Sequence, residues 1–338
     1  MLKKIRVTIA ALSFLIVTLL FLDFTGTIHL WFGWMAKIQF LPAVLAINVG
    51  VVLSLIILTL LFGRVYCSVI CPLGIMQDII SWISGKRKGK KLRFTYSPQL
   101  KWLRYGFLVL FLVALVAGIG SVAALLAPYS SYGRIASNLF APVYAWGNNI
   151  LAYFAERADS YAFYEKEIWL KSLPTFIIAT VTFIIIAVLS WKNGRTYCNT
   201  VCPVGTVLGF LSKFSLFRPV INREKCKACG LCAKKCKASC IDSKNEKIDY
   251  SRCVTCFNCI ENCKQGAISY TMKRDRAAKA EAISPKATQN STDNSRRTFL
   301  TGAGVLIGAA AAKAQETKVD GGLAVILDKK VPKRTTPI

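Results

Sequence analysis

The sequence predicts a mainly α-helical protein, in which a four-helix transmembrane domain precedes a small α+β domain. Three observations lead to this prediction. Of the 338 residues, 54% are hydrophobic, and they gather into long apolar runs, which is unusual for a soluble protein. Basic residues flank those runs. Two copies of one cysteine spacing follow the last run, within residues 226–263.

Four apolar runs approach the ~20 residues that a helix needs to cross a bilayer. They cover residues 7–24, 42–62, 103–126 and 174–191. Their apolar side chains do not keep to one helical face, so helices of a soluble core explain them poorly. The first run follows Lys3, Lys4 and Arg6 as a signal peptide would, but no small-residue cleavage site comes after it. We therefore predict four membrane-spanning helices.

The basic residues predict the orientation of these helices. Lysine and arginine are abundant in the connection of residues 64–101, whereas acidic residues balance them in the connection of residues 127–173. Because basic residues near span ends stay in the cytoplasm, we expect a multi-pass protein of the cytoplasmic (inner) membrane with the cysteine-rich domain on the cytoplasmic side. The net charge of +27 comes without a recognisable nucleic-acid-binding module. Lipid of the bilayer, and not nucleic acid, is the expected partner of this charge.

Two runs of the form C-x-x-C-x-x-C-x-x-x-C predict two [4Fe–4S] clusters in a bacterial-type ferredoxin domain. In this pattern the fourth cysteine of each run reaches the cluster of the other run. One cluster would bind Cys226, Cys229, Cys232 and Cys263, and the other Cys253, Cys256, Cys259 and Cys236. Zinc ribbons usually present two separate cysteine pairs, so zinc fits this spacing less well. The cysteine runs thus indicate an electron carrier, which needs no catalytic acid, base or nucleophile.

The runs depart from the bacterial pattern after their fourth cysteine. Lys237 and Lys264 stand where proline is usual, and we expect them to admit more solvent and to place positive charge beside the anionic clusters. A ninth thiol, Cys240, occupies the position that Ala267 holds in the second run. We interpret Cys240 as a small buried hydrophobic residue and not as a ligand.

A second repeat lies in the membrane domain. The pattern G-R-x-Y-C-x-x-x-C-P-x-G occurs at residues 63–74 and again at residues 194–205, in each case after an even-numbered apolar run. We name these the first and second CP motifs. With the two cysteine runs, they resemble the membrane polyferredoxins: NapH-like quinol dehydrogenase subunits, NosR-like proteins and copper-reducing assembly factors of haem–copper oxidases. The resemblance covers about residues 1–270.

This resemblance implies a respiratory electron-transfer protein that passes single electrons between the quinone pool and a protein partner, such as a reductase, an oxidase or a ferredoxin-like donor. It also leaves two alternatives open. The protein could be a copper-reducing, metal-handling assembly factor for a haem–copper oxidase, or a membrane redox sensor.

The chemistry of the CP motifs is open at this point. Cys67, Cys71, Cys198 and Cys202 could hold one more metal centre if the motifs face each other, act as two redox dithiols, or simply pack in the core. Four-residue spacing puts two side chains on one helical face, but each motif's proline favours a turn instead. Tyr66, Tyr197, Arg64 and Arg195 would orient such a centre. Alternatively, the arginines could reach lipid headgroups.

The single histidine, His29, excludes a membrane haem with two histidine ligands. Near Trp31 and Trp34 it could line a quinone site, but a solvated histidine at the membrane interface is the simpler explanation, which we favour.

The predicted organisation has five parts, and its last three are not part of the redox machinery. Residues 271–294 are predicted to form a polar linker. Residues 295–315 resemble a twin-arginine export signal, with Arg296 and Arg297 before a short apolar stretch. Residues 316–338 form a tail that could begin a further domain on the outer side. These parts follow the membrane domain, residues 1–221, and the ferredoxin domain, residues 222–270.

Overall fold

The computed structural model describes residues 1–23, 26–86, 94–157, 165 and 172–272. The predicted signal-like segment and tail, and all of the predicted linker after residue 272, lie outside this described part.

Two similar halves make up the helical domain. The helices of the first half are α1 Leu2–Leu22, α2 Thr27–Phe32, α3 Trp34–Lys37, α4 Phe40–Leu45, α5 Val49–Phe62, α6 Tyr66–Val69 and α7 Pro72–Gly85. The second half contains α8 Lys101–Val116, α9 Gly120–Leu126, α10 Pro128–Ile135, α11 Ala141–Arg157, α12 Leu173–Asn193, α13 Thr196–Thr200 and α14 Pro203–Leu211. A π-helical segment, Ala136–Phe140, joins α10 to α11, and a 3₁₀ turn, Ser212–Phe214, ends the domain.

The structure gives continuous helices for the first and fourth predicted spans and interrupts the other two. Across the described ranges, α1 and α12 are the two helices with the length and apolar character to cross a bilayer. The second predicted span breaks between α4 and α5, where Ile47 has φ 53° and the Asn48 side chain caps α5. The third breaks between α8 and α9, where Gly118 has φ 73°. Summed hydropathy does not register such left-handed residues, which end a right-handed helix.

The connection after α9 contains a long helical stretch that the sequence analysis did not anticipate. It runs through α10, the π-helical segment and α11, and it packs against α1 and α12. Tyr132 and Ile135 are fully buried there, and the ring of Tyr132 makes T-shaped contacts with Phe14 and Phe21 of α1. Charged residues farther along the connection concealed this apolar stretch.

The C-terminal domain is a small α+β unit. Its elements are β1 Phe217–Ile221, α15 Leu231–Lys234, β2 Ile241–Asp242, β3 Lys247–Ile248, α16 Asn258–Glu261 and β4 Ile268–Met272. Strand β1 pairs antiparallel with β4, from Phe217 opposite Met272 to Ile221 opposite Ile268, and β2 pairs with β3. Strand β1 precedes residue 222, so the observed unit includes a few residues that the sequence analysis gave to the membrane domain.

Candidate functional site

Each of the two predicted cysteine sets of the small domain lines one cavity. The cavity lined by Cys236, Cys253, Cys256 and Cys259 also touches Cys240. A second cavity is lined by Cys226, Cys229, Cys232 and Cys263. We name the first group the near set and the second the far set, because the near set faces the helical domain. In both cavities the fourth cysteine of one run joins three cysteines of the other.

The backbone of the two runs repeats the same unusual conformation. Left-handed residues occur at equivalent positions, with Ala228 matching Thr255, Gly230 matching Phe257, and Ser239 matching Gly266. Left-handed backbone costs non-glycine residues energy, and such conformations concentrate at binding sites. The repeated turns wrap the cysteines around their cavities.

Lys237 contradicts the expectation that a lysine after the fourth cysteine admits solvent. Its side chain is largely buried, and its Nζ lies 3.4 Å from Asp78 Oδ1 of the helical domain. Its counterpart Lys264 is exposed. The positive charge is therefore beside the near set as expected, but it fastens the two domains together.

Each CP motif is a short helix followed by a turn into a new helix. Cys67 lies on α6 and Cys198 on α13, whereas Cys71 and Cys202 are the residues that precede α7 and α14. Pro72 and Pro203 occupy the first turn of the new helix, where the absent N–H needs no partner. The motif prolines therefore favour the turn over a single helical face.

The four CP-motif cysteines lie together in the core. All four are buried, and Cys67, Cys71 and Cys202 belong to the same apolar core as Tyr66, Leu126 and Tyr132. Burial first, and then the nearby Cys198, raises the pKa of Cys71, which shows that the second motif faces the first. Among the described residues, no three His, Cys, Asp or Glu side chains lie close enough to hold a single metal ion. A cubane cluster is a different case, because each of its cysteines binds a different iron.

Two buried arginines exchange hydrogen bonds between the CP motifs. Arg64 of the first motif donates to the carbonyl of Cys198 at 3.3 Å, and Arg195 of the second donates to the carbonyl of Cys67. These hydrogen bonds require glycine at positions 74 and 205. A Cβ atom on Gly74 would lie 2.9 Å from a guanidinium nitrogen of Arg195, and one on Gly205 would lie 2.9 Å from a guanidinium nitrogen of Arg64. Both arginines are fully buried, so they lock the motifs together and do not reach lipid headgroups.

One buried carboxylate gathers cations from three parts of the chain. Asp78 of α7 binds Arg6 of α1, Arg195 of the second CP motif, and Lys237. Burial alone would raise the pKa of Asp78, but these cations hold it well below its usual range. The sequence analysis missed Asp78. In the sequence, Asp78 stands out as the single acidic residue within the mostly apolar stretch that follows Cys71, and a buried charge requires a partner.

The motif tyrosines are fixed by residues outside the motifs. The Tyr66 hydroxyl donates to Gln39 Oε1 at 2.9 Å and accepts from the Phe40 amide, and the Tyr197 side chain is buried near Ser131. His29 lies away from this site, half-buried on α2, and Trp31 and Trp34 are exposed. The cysteine site is thus enclosed on several sides by polar contacts that hold its shape.

Comparison with known families identifies the helical repeat. A family model described as "4Fe-4S binding domain" matches residues 44–91 and 174–223. These two ranges contain the two CP motifs and end before the first of the two cysteine runs. The iron–sulfur signature is therefore carried by the duplicated CP motifs as well as by the ferredoxin spacing.

Three relatives illustrate the similarity. "Putative electron transport protein YccM" of Escherichia coli is 24% identical over 71% of this chain and 60% of that protein. "Ferredoxin-type protein NapH" of Escherichia coli is 25% identical over 71% of this chain and 72% of its own length. An uncharacterized protein of Methanocaldococcus jannaschii is 24% identical over 80% of this chain and 86% of its length. No solved structure matches.

The fold, the cysteine sets and the family match define an iron–sulfur electron-transfer protein. Within that class, the chain is similar to the polyferredoxins, and these comparisons confirm the resemblance drawn from its motifs.

Proposed function

We propose that the protein is a membrane-bound electron carrier that passes single electrons between the quinone pool and a protein redox partner. One observation carries the proposal: the ferredoxin domain is docked directly on the CP-motif site. Asn199 Nδ2 donates to the Ala238 carbonyl at 3.3 Å, the Arg195 amide to the Lys237 carbonyl at 2.9 Å, and Arg64 Nη1 to the Ser251 carbonyl at 3.2 Å. All three acceptors lie within two residues of near-set cysteines.

The near and far sets would each hold one [4Fe–4S] cluster, and each bound cluster would accept and return one electron. The fit rests on two features of the chain. Four cysteines surround each cavity, and the repeated left-handed turns match between the two runs. The role of the protein is to hold the sulfurs, to limit water around the near set and to supply buried positive charge.

Cys67, Cys71, Cys198 and Cys202 would act as one redox unit. Buried positive charge around them supports this: Arg6, Arg195 and Lys237 share the carboxylate of Asp78. The buried Arg64 and Arg104 form no ion pair in the described part of the chain. Arg64 Nη2 also lies 3.9 Å from Cys67 Sγ. Buried charge is costly unless an opposite charge compensates it. Negative charge on the cysteine sulfurs, when they bind a cluster, would supply that compensation.

The helical domain would cross the membrane four times. Apolar side chains are exposed along its helices, including Leu15 on α1, Val113 on α8 and Ile184 on α12, and contiguous apolar surface of this kind suits lipid better than water. Helix breaks at membrane depth are tolerated where protein surrounds them. The interrupted second and third spans are therefore compatible with four crossings, and anionic lipid would meet the basic inner side.

The orientation predicts a labelling pattern. Single cysteines placed at Lys86 or Lys101 should resist a membrane-impermeant thiol reagent added outside intact cells, because the basic connection stays in the cytoplasm. A cysteine at Trp31 should react as the outer control. Rapid reaction at Lys101 with protection at Trp31 would reverse the proposed orientation.

The redox role of the CP motifs is tested by removing one thiol from each. Cys67→Ala and Cys198→Ala should each abolish quinol-linked reduction of the ferredoxin clusters, while protein level and iron content of the ferredoxin domain stay unchanged. The double variant should be no worse than either single variant, as expected for residues that act together. Ser81→Ala is the matched control, since Ser81 is buried on α7 without a hydrogen-bond partner among the described residues. Normal reduction in both single variants would return these cysteines to a packing role.

The crossed ligand assignment requires a double variant. Cys240 Sγ lies 3.5 Å from Cys236 Sγ and could replace it as a ligand. Cys236→Ala combined with Cys240→Ala should therefore remove the near-set cluster and leave about four of about eight irons. Loss of the spectrum assigned to Cys226, Cys229 and Cys232 instead would show that the runs do not cross.

A further inference from the structure

The two cysteine sets of the ferredoxin domain have opposite surroundings. Because the runs repeat, each residue near one set has a counterpart near the other. Ser251, Thr255 and Ala238 beside the near set are buried. Their counterparts Glu224, Ala228 and Gln265 beside the far set are exposed.

The near set is covered by the helical domain on several sides. Thr255 Oγ1 donates to the Phe62 carbonyl at 3.3 Å, and a Cβ on Gly63 would come within 3.0 Å of that hydroxyl. Tyr270 also donates to the Phe62 carbonyl at 2.9 Å. Together with the contacts to Asn199 and Arg195, these bonds hold the near set against the helical domain, and Cys236, Cys256 and Cys259 are buried there.

The far set, in contrast, opens onto a basic surface. Cys229 is exposed, and Lys225, Lys227 and Lys264 are exposed next to Cys226 and Cys263. None of these lysines forms an ion pair with another residue in the ranges that the structure covers. Glu224 adjoins them in sequence, and Glu246, which lines the far-set cavity, is paired with Arg223.

We propose that the surface formed by Lys225, Lys227, Lys264 and Cys229, here called the far face, is the docking surface for the redox partner, and that the partner is a protein with acidic residues around its own redox group. This inference rests on the proposed function and adds to it a path of electron transfer through the ferredoxin domain. The near set exchanges electrons with the CP-motif site, and the far set exchanges them with the partner.

The physical argument combines access with charge. Electron transfer between proteins requires close approach of the two redox groups, and the far set is the one that another protein can approach. Lysines around such a group attract an acidic partner, and this attraction raises the rate of association at low salt. Electron-transfer encounters bury little area and depend on this steering.

One electron crosses the contact at a time: the partner gains the electron that the ferredoxin domain loses, no bond forms or breaks, and no proton crosses. In the test below, dithionite reduces the clusters before the acceptor is added, because quinols are too weakly reducing to drive the reduction of flavodoxin.

Charge reversal tests the far face in the full-length protein. We would replace the three lysines in Lys225→Glu, Lys227→Glu and Lys264→Glu together, with the corresponding triple arginine variant as the control that keeps the charge. Two soluble electron acceptors of opposite charge serve as probes, an acidic flavodoxin and a basic cytochrome c. Reversal should slow electron transfer to flavodoxin by roughly tenfold or more at low salt and accelerate transfer to cytochrome c. The arginine variant should behave as the unmodified protein does.

Binding provides a readout that does not depend on turnover. Reversal should weaken equilibrium binding of oxidised flavodoxin and should abolish the decrease of that binding with added salt. Unchanged rates and binding with both probes would overturn the far face, and so would an equal loss with both. Failure of the proposed function is distinguishable, because in that case quinol would not reduce the clusters of the unmodified protein at all.

Discussion

Each half of the helical domain contains one copy of the CP motif, but the charge of the buried arginines is compensated differently in the two halves. In the first half, Arg6 of α1 binds the carboxylate of Asp78. At the equivalent position of the second half stands Gly209, and the guanidinium of Arg104 from α8 fills the space that a side chain would take. Arg104 donates only to oxygens without charge, the carbonyls of Gly205 and Thr206 and both oxygens of Ser251.

This difference shows that a duplicated site can keep its geometry while its electrostatics diverge. The reciprocal bonds of Arg64 and Arg195 preserve the relation between the motifs. The carboxylate of the first half ties α1, the second motif and the ferredoxin domain together, whereas the arginine of the second half reaches the ferredoxin domain itself through Ser251. The first half thus holds the ferredoxin domain by an ion pair in addition to hydrogen bonds, whereas the contacts of the second half in the described part of the chain are hydrogen bonds.

The largest effect should follow removal of the Asp78 charge. Asp78→Asn leaves buried cations without a partner, and we expect a loss of about 3–5 kcal/mol in the free energy of unfolding, measured by denaturation in detergent. Because the folded-state pKa of Asp78 is depressed, its contribution is complete above the ordinary pKa of about 4 and is lost only as pH falls through the folded-state value. The deficit should therefore be the same at pH 6 and pH 8. Asp242→Asn, on the surface of the ferredoxin domain, is the control, and an equal loss there would contradict the account.

A smaller effect should follow crowding of the second half. A Cβ on Gly209 would lie 2.0 Å from Arg104 Nη2 and 2.5 Å from the Ser251 carbonyl. Gly209→Ala should cost about 1–3 kcal/mol and should speed protease cleavage between the domains, because Arg104 must release Ser251. Gly106→Ala on α8 is the control, since nothing lies within 4 Å of its Cβ position, and it should stabilise by about 0.4–1 kcal/mol. Equal protease resistance in both variants would show that Arg104 does not hold the ferredoxin domain.

The smallest effect should appear in the potentials of the two clusters. The Cys240 thiol contacts Cys236 Sγ at 3.5 Å and lowers the pKa of Cys236 to about 7. A donor to a ligand sulfur stabilises the reduced cluster, so Cys240→Ala should make the near-set potential more negative, by an amount on the order of tens of millivolts. Ala267→Cys should move the far-set potential in the opposite direction. A redox titration followed by electron paramagnetic resonance measures both potentials. If each potential is the same in the unmodified protein, the Cys240→Ala variant and the Ala267→Cys variant, Cys240 has a packing role alone.

The sequence predicted features that depend on local spacing and missed those that depend on distant partners. The cysteine runs and CP motifs are local patterns, and the structure brings their cysteines into three groups. Asp78, Arg6 and Arg104 were not singled out as parts of the site, because a charge in or beside an apolar run is explained only by partners more than 70 residues away. The breaks at Ile47 and Gly118 depend on backbone dihedral angles, which hydropathy does not measure. Lys237 was expected to admit solvent, and its ion pair with Asp78 required knowledge of the docked domain.

The most direct test of the central claim is the iron and sulfide content of anaerobically purified protein, combined with its electron paramagnetic resonance spectrum before and after addition of a quinol. The account predicts at least about eight irons with equal sulfide, and cluster signals that quinol addition changes in the unmodified protein but not in the Cys67→Ala or Cys198→Ala variants. Zinc in place of iron, or clusters whose spectrum is unaffected by quinol in the unmodified protein, would contradict it.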